Sequence, residues 1–220
     1  MICLLDLDGT LIDSAGRHRL LMGQLLKQYC PKQAGDFDPA GYMAYKADGH
    51  SGKQYLTEIL HLDKEKAKEI QERWQARIEE ETYLDTDELY ADVIPFLERL
   101  RGSGQGRTGD GAARADIVYL TARQNRQGLL AELKRLGILE YASEVIIVDP
   151  ANAMAEKIRA AREIREKDPQ VILVGDTENE YAVAKELQLP VYLLHRGFRS
   201  RTYWAARGVT TYAGLNEIDL

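Results

Sequence analysis

Five short runs dominated by apolar residues punctuate the chain: ICLLDL (2–7), DIVYL (116–120), EVIIV (144–148), QVILVG (170–175) and PVYLL (190–194). They are rich in Val, Ile and Leu and do not alternate with polar residues, as expected for strands covered on both faces of a parallel sheet. Between the later four lie helical patterns, NRQGLLAELKRLG, ANAMAEKIRAAREIREK and ENEYAVAKELQ. This alternation of strand and helix predicts an α/β fold, a doubly wound, Rossmann-like parallel sheet of about five strands.

From Ser14 to Tyr90 the pattern changes. HRLLMGQLLKQY, GKQYLTEIL and DKEKAKEIQERWQARIEEE read as helices, separated by PKQAGDFDP and ADGHS, and no strand stands out. The expectation is a small α-helical cap domain at 14–90, inserted into a core made of 1–13 and 91–220. After the helical segment VIPFLERL comes the glycine-rich stretch RGSGQGRTGDGAAR (101–114), in which Gly104, Gly106 and Gly109 have G-x-G-x-x-G spacing. A dinucleotide fingerprint must follow a strand and open a helix; here the order is reversed, so the stretch reads as a surface loop.

Lys and Arg (29) are outnumbered by Asp and Glu (35) and are not gathered into one stripe, so no nucleic-acid partner is expected. Cys3 and Cys30 form neither a disulfide framework nor a zinc spacing. No apolar stretch approaches the ~18–20 residues of a membrane span, and the first residues lack the layout of a signal peptide. A reduced, cytoplasmic protein without a membrane partner is the expectation.

In a parallel sheet, residues just past the carboxyl ends of the strands face one crevice. Those residues are Asp6, Asp8 and Thr10 after the first run, Thr121 after the second, and Asp176, Glu178 and Glu180 after the fourth, with Lys157 in the helix after the third. Crowded carboxylates raise one another's pKa unless a cation neutralises them. A hard divalent cation such as Mg2+ suits oxygen ligands, and a lysine and a threonine beside it are donors for an anion. The layout suits phosphoryl transfer.

DLDGTLID (6–13), the threonine of YLTAR (119–123), Lys157 and GDTENE (175–180) resemble the four ordered motifs of the haloacid dehalogenase-like hydrolase superfamily, which places an α-helical cap between its first and second motifs. The resemblance implies a Mg2+-dependent phosphatase of a small phosphorylated metabolite. Asp6 would attack phosphorus and become an aspartyl-phosphate, and Asp8 would serve as acid and then base. Thr121, Ala122 and Lys157 would hold the phosphoryl oxygens, while Asp6, Asp8 through its carbonyl, Asp176 and Glu180 would bind the metal. Glu180 stands where many members have Asp, and Glu178 is close by. The acid at position 8 favours the phosphoryl-transfer branch over the dehalogenases.

Arg17, His50 and Arg123 are candidate substrate contacts. The other histidines read as surface or cap residues, and Trp74, Tyr83, Phe96 and Trp204 as structural aromatics. HRGFRSRTYWAARG reads as a helix entrance with solvated arginines at 196, 199 and 201, with a place at the border of the crevice as the alternative. Three rival readings remain: a phosphomutase with the same nucleophile, a phospho-acceptor similar to a response-regulator receiver, for which Asp149 would be the acceptor, and a catalytically silent binding protein of similar fold.

Overall fold

β1 (Ile2–Leu5) sends Cys3 and Leu5 into one apolar cluster and Leu4 into another, the two-sided burial its uninterrupted run predicts. The computed structural model describes residues 1–102 and 115–220. Gly104, Gly106 and Gly109, expected in a surface loop, lie outside the described residues.

After β1 a tight turn, in which the amides of Leu11 and Ile12 both donate to the Leu7 carbonyl, leads into β2 (Ile12–Asp13). Helices α1 (Ala15–Tyr29), α2 (Pro39–Ala47), α3 (Gly52–Gln54), α4 (Lys64–Arg77) and α5 (Glu81–Leu84) follow. GKQYLTEIL, expected as one helix, changes to a π-helical turn at Tyr55–Ile59. β3 (Glu88–Leu89) then pairs antiparallel with β2. Sequence reading found no strand between 14 and 90; a two-residue strand is too short to show a period.

The remaining elements alternate: α6 (Val93–Leu100), β4 (Asp116–Ala122), α7 (Arg126–Arg135), β5 (Glu144–Val148), α8 (Ala153–Lys167), β6 (Val171–Gly175), α9 (Glu178–Leu187), β7 (Val191–Leu193) and α10 (Arg201–Ala205). All five predicted apolar runs become strands of one parallel sheet in the order β5-β4-β1-β6-β7. Leu5 is paired with Tyr119 on one side and Val174 on the other; β6 ends one residue further on, and β4 continues to Ala122.

Three apolar clusters map onto this layout. One face of the sheet packs on α6, α7 and the C-terminal segment around Leu215 and Ile218. The other face packs on α8 and α9. A third cluster draws only on residues between Leu21 and Tyr83, joining α1, α2, α4 and the π turn around Tyr42, Tyr55 and Ile70. The insertion thus has an apolar core of its own, so its helices need not borrow burial from the sheet. Among the described residues no helix is long and apolar enough to cross a membrane.

Candidate active site

Order β5-β4-β1-β6-β7 makes the chain travel outward from β1 on one side and return to build the other, creating a switch point beside β1. Asp6 sits there, one residue past β1, with its amide bonded to the Val174 carbonyl at 3.0 Å. Lys157, early in α8, reaches the same place: its ammonium donates to Asp6 Oδ1 and to Glu180 Oε1, each at 2.6 Å. Thr121 and Ala122 at the end of β4 line the same cavity, of about 390 Å3.

Asp6, Asp176 and Glu180 are buried and converge so that one oxygen from each lies within 4.8 Å of the others. Thr10 donates to Asp176 Oδ1 at 3.3 Å, and the Phe198 amide donates to Oδ2 at 2.5 Å. Backbone packs close around this carboxylate. Gly9 has φ +78°, and a Cβ there would stand 2.4 Å from Asp176 Oδ2; at Gly197 it would stand 2.2 Å from the same atom. Both positions therefore call for glycine.

Burial pushes the Asp6 carboxyl up to about 7, with Glu180 adding to the effect and Lys157 opposing it. Burial, then Asp6 and Glu180, raise Asp176 well above the usual carboxylate range. Burial also opposes charge on Lys157, but Asp6 and Glu180 outweigh it and hold the ammonium charged. Three carboxylates against one ammonium leave two negative charges in a desolvated place, and every converging atom is a hard oxygen. That donor set fits a divalent cation of the Mg2+ type. Glu180 is also committed elsewhere: its Oε2 accepts from the Thr177 amide at 3.1 Å and from the Thr177 hydroxyl at 2.6 Å, capping α9. Glu178 is held away by Arg199 at 2.6 Å and by the Tyr203 hydroxyl.

Asp8 belongs to a different cluster. Arg123 grips it with two bonds of 2.7 and 2.9 Å, and Arg17 from α1 binds the same carboxylate. Beyond them Arg123 reaches Glu132 at 3.2 Å, and Arg17 pairs with Asp87 at 3.2 Å. Burial opposes charge on Asp8, yet Arg123 and then Arg17 prevail and hold its carboxyl below the usual range. Burial, with Glu132 and Asp8 adding, raises Asp87 far above its ordinary value against Arg17. Among the described residues, neither Asp87 oxygen nor Glu132 Oε1 has a hydrogen-bond donor.

His50 stacks on Tyr45 at 4.1 Å, beside the ring whose hydroxyl donates to Glu58, and does not line the cavity. His18 takes that place instead, buried between Trp74 and Phe198. Trp74, expected as a structural aromatic, does line the cavity, whereas Phe96 and Trp204 are buried in the core and Tyr83 in the cluster of the insertion. Two of the arginines expected to be solvated are tied down: Arg196 pairs with Asp92 at 2.7 Å and donates to the Thr10 carbonyl at 2.6 Å, while Arg199 donates to the Lys46 carbonyl at 3.2 Å. Arg201 is exposed. Asp149 caps the turn at Pro150–Asn152, accepting from the Ala151 amide at 2.9 Å, and is absent from the cavity wall.

Carboxylates gathered at the switch point of a doubly wound sheet define an α/β enzyme class whose chemistry sits at the strand ends. Sequence comparison identifies the family within it: the haloacid dehalogenase-like hydrolases match residues 1–188, and the chain belongs to that family. Solved structures share the fold. A haloacid dehalogenase-like family hydrolase from Streptococcus pneumoniae superposes with TM-score 0.69 at 18% identity, covering 93% of this chain and 89% of that one. A predicted phosphatase from Clostridium acetobutylicum gives 0.64 at 18% identity, covering 96% and 91%. A predicted phosphoglycolate phosphatase from Haemophilus somnus gives 0.64 at 18% identity, covering 91% and 87%. No curated protein matches the sequence.

Proposed function

We propose that the protein is a Mg2+-dependent phosphatase of a small phosphorylated metabolite, acting through an aspartyl-phosphate on Asp6. The observation that carries this reading is the convergence of Asp6, Lys157, Asp176 and Glu180, of which Asp6 and Lys157 line a cavity shared with Asp8 and Thr121. Asp6, Asp176, Glu180 and the backbone carbonyl of Asp8 would hold the cation, which supplies charge neutralisation for the nucleophile and the phosphoryl oxygens.

An Asp6 carboxylate oxygen forms a bond to phosphorus while the bond from phosphorus to the leaving oxygen breaks, and Asp8 gives that oxygen its proton. Asp8 then takes a proton from water, whose oxygen displaces Asp6 from phosphorus and releases inorganic phosphate. Arg17 and Arg123 favour ionised Asp8, the form the second step requires; the dianionic ester arriving beside it opposes them in the first. Thr121, the backbone at Ala122, and Lys157 hold the phosphoryl oxygens, and Arg17 and Arg123 position Asp8 and border the substrate.

We assign residues 14–90 the part of a cap that covers the leaving group and excludes water. Contacts to the core support this: Glu79 accepts from the amides of Gln124 and Asn125 at 3.0 and 2.7 Å, and the Ser200 amide donates to the Ala47 carbonyl at 2.8 Å. Two buried free thiols, Cys3 and Cys30, suit a reducing, cytoplasmic setting.

The test is phosphate release from a panel of phosphomonoesters with and without Mg2+, with Asp6→Asn in parallel. Release that requires Mg2+ and falls by at least about 10⁴-fold in the variant is expected. Full activity in Asp6→Asn would sink the reading.

A further inference from the structure

Away from the carboxylates, the cavity has a wall of a different character. His18 of α1, Trp74 of α4 and Phe198 of the loop after β7 meet there, with the His18 ring centroid 5.0 Å from Trp74 and 4.9 Å from Phe198. Lys46 packs its ammonium 5.5 Å from the Trp74 ring and 4.9 Å from that of Phe198. Even so, Trp74 and Phe198 stay only half buried, so apolar aromatic surface is left beside the cavity. Such surface gains most from a flat partner.

Polar groups sit beside this wall. Among the described residues Trp74 Nε1 is buried without an acceptor, a costly state for a donor that has no other role. Lys46 lies 2.7 Å from His18 Nδ1. Burial, then Arg199 and Arg17, lower the Lys46 amine to about 7, so either nitrogen of this contact can supply the shared proton. Burial, then Lys46 and Arg17, keep the His18 ring uncharged. The amides of Gln75, Gln124 and Asn179 complete the lining with groups that both donate and accept.

A leaving group of two or three aliphatic carbons would fill little of a cavity of about 390 Å3, would leave both aromatic faces bare and would give Trp74 Nε1 no partner. A planar ring with acceptors on its edge answers all three features. We propose that His18, Trp74 and Phe198 form a leaving-group subsite for a heteroaromatic ring, so that the substrates are phosphomonoesters of nucleosides or of alcohols carrying a single such ring. The inference rests on the phosphatase reading for its catalytic half, and its binding half stands apart from turnover.

The chain's two tryptophans give a direct readout. Trp204 is fully buried among Leu193 and Tyr203, so ligand-dependent quenching of intrinsic fluorescence reports Trp74. Folded, Mg2+-loaded Asp6→Asn protein is titrated with adenosine, with cytidine, with pyridoxine as the single-ring alcohol, and with glycerol. Saturable quenching by the ring compounds but not by glycerol is expected, and it disappears in Asp6→Asn/Trp74→Phe while Trp204 emission persists. Whichever ring compound saturates at lower concentration identifies the source of the ring.

In the wild-type enzyme, kcat/KM for the corresponding phosphate esters should exceed that for glycerol phosphate and phosphoglycolate by at least about tenfold. Phe198→Leu should narrow that ratio by about tenfold, the effect of losing one stacking face. Phosphate release that does not discriminate ring from aliphatic esters, with no quenching by rings, overturns the subsite and leaves the phosphatase reading in place. Quenching by rings with no phosphate release from any ester keeps the subsite and overturns the phosphatase reading.

Discussion

The two halves of DLDG end in different electrostatic worlds. Asp6 joins Asp176, Glu180 and Lys157, a cluster with two negative charges in excess whose carboxyls resist ionisation. Two residues on, Asp8 joins Arg17, Arg123, Asp87 and Glu132, where two guanidiniums face three carboxyl groups and burial raises Asp87 to about 9. The first cluster has three carboxyl groups and one ammonium, an all-oxygen donor set of the kind a divalent cation takes. The second is nearly self-neutral, and its members come from α1, the segment before β3, the end of β4 and α7, so it fixes the insertion to the core. Proximity in sequence therefore does not mean a shared environment: Asp6 sits among carboxylates and one ammonium, whereas Asp8 is held by two guanidiniums on the wall of the same cavity.

The sharpest way to break this comparison is Arg123→Ala, which leaves Asp8 and Glu132 buried without their shared partner. A loss of about 3–5 kcal/mol in urea unfolding is expected. The double variant Arg123→Met/Glu132→Leu should regain part of it; a single variant as stable as wild type would mean that the network holds nothing together. Asp176→Asn addresses the other cluster. Phosphate release at saturating Mg2+ should fall by at least about 100-fold, while melting in chelator should move upward, because two repelling carboxylates remain instead of three. A downward shift in chelator would show that the cluster is already balanced.

Gly197→Ala should have a smaller effect. Its Cβ would meet Asp176 Oδ2 at 2.2 Å and the Gly9 carbonyl at 2.4 Å, a clash with a side chain and a backbone atom worth about 1–3 kcal/mol and visible as a raised Mg2+ requirement. Last comes a pH effect. Burial and the neighbouring Glu132 and Asp8 raise Asp87 to about 9, with Arg17 opposing. A raised folded pKa contributes stability that is complete below the unfolded value of about 4 and is lost as pH rises through about 9. The melting temperature of Asp87→Asn should therefore gain on wild type between about pH 5 and pH 9. A constant difference would place the proton on another group.

Every strand of the sheet was legible because each had to be apolar on both faces, a demand that leaves an uninterrupted run such as VILVG. Asp6, Thr121, Lys157 and Asp176 were legible for a related reason: a parallel sheet sends its strand ends to one crevice, so position along the chain becomes position in space. Neither rule reaches the aromatic wall. His18, Trp74 and Phe198 come from three elements far apart in the chain, and each looks like an ordinary helix or loop residue in isolation. Glu132 did carry a signal, a charge within the apolar spacing of Leu129 and Leu133 on α7, which marks a buried partner without saying which. Asp87 carried none. The pairing of β2 with β3 was equally hidden, because two residues on each strand are below any period.

That small ribbon has a consequence for how the architecture could change. Ile12 faces Leu89 and Asp13 faces Glu88, so the chain leaves the sheet region and re-enters it across one strand spacing, about 5 Å. Everything between is, from the core's standpoint, a closed loop, and lengthening a closed loop is inexpensive: each doubling costs only about 0.6 kcal/mol of closure entropy. The insertion can grow, shrink or exchange its helices without moving a register in the sheet. Along the backbone, change in the insertion's helices is thereby separable from the carboxylate cluster, while Arg17 and Glu79 tie insertion to core across space.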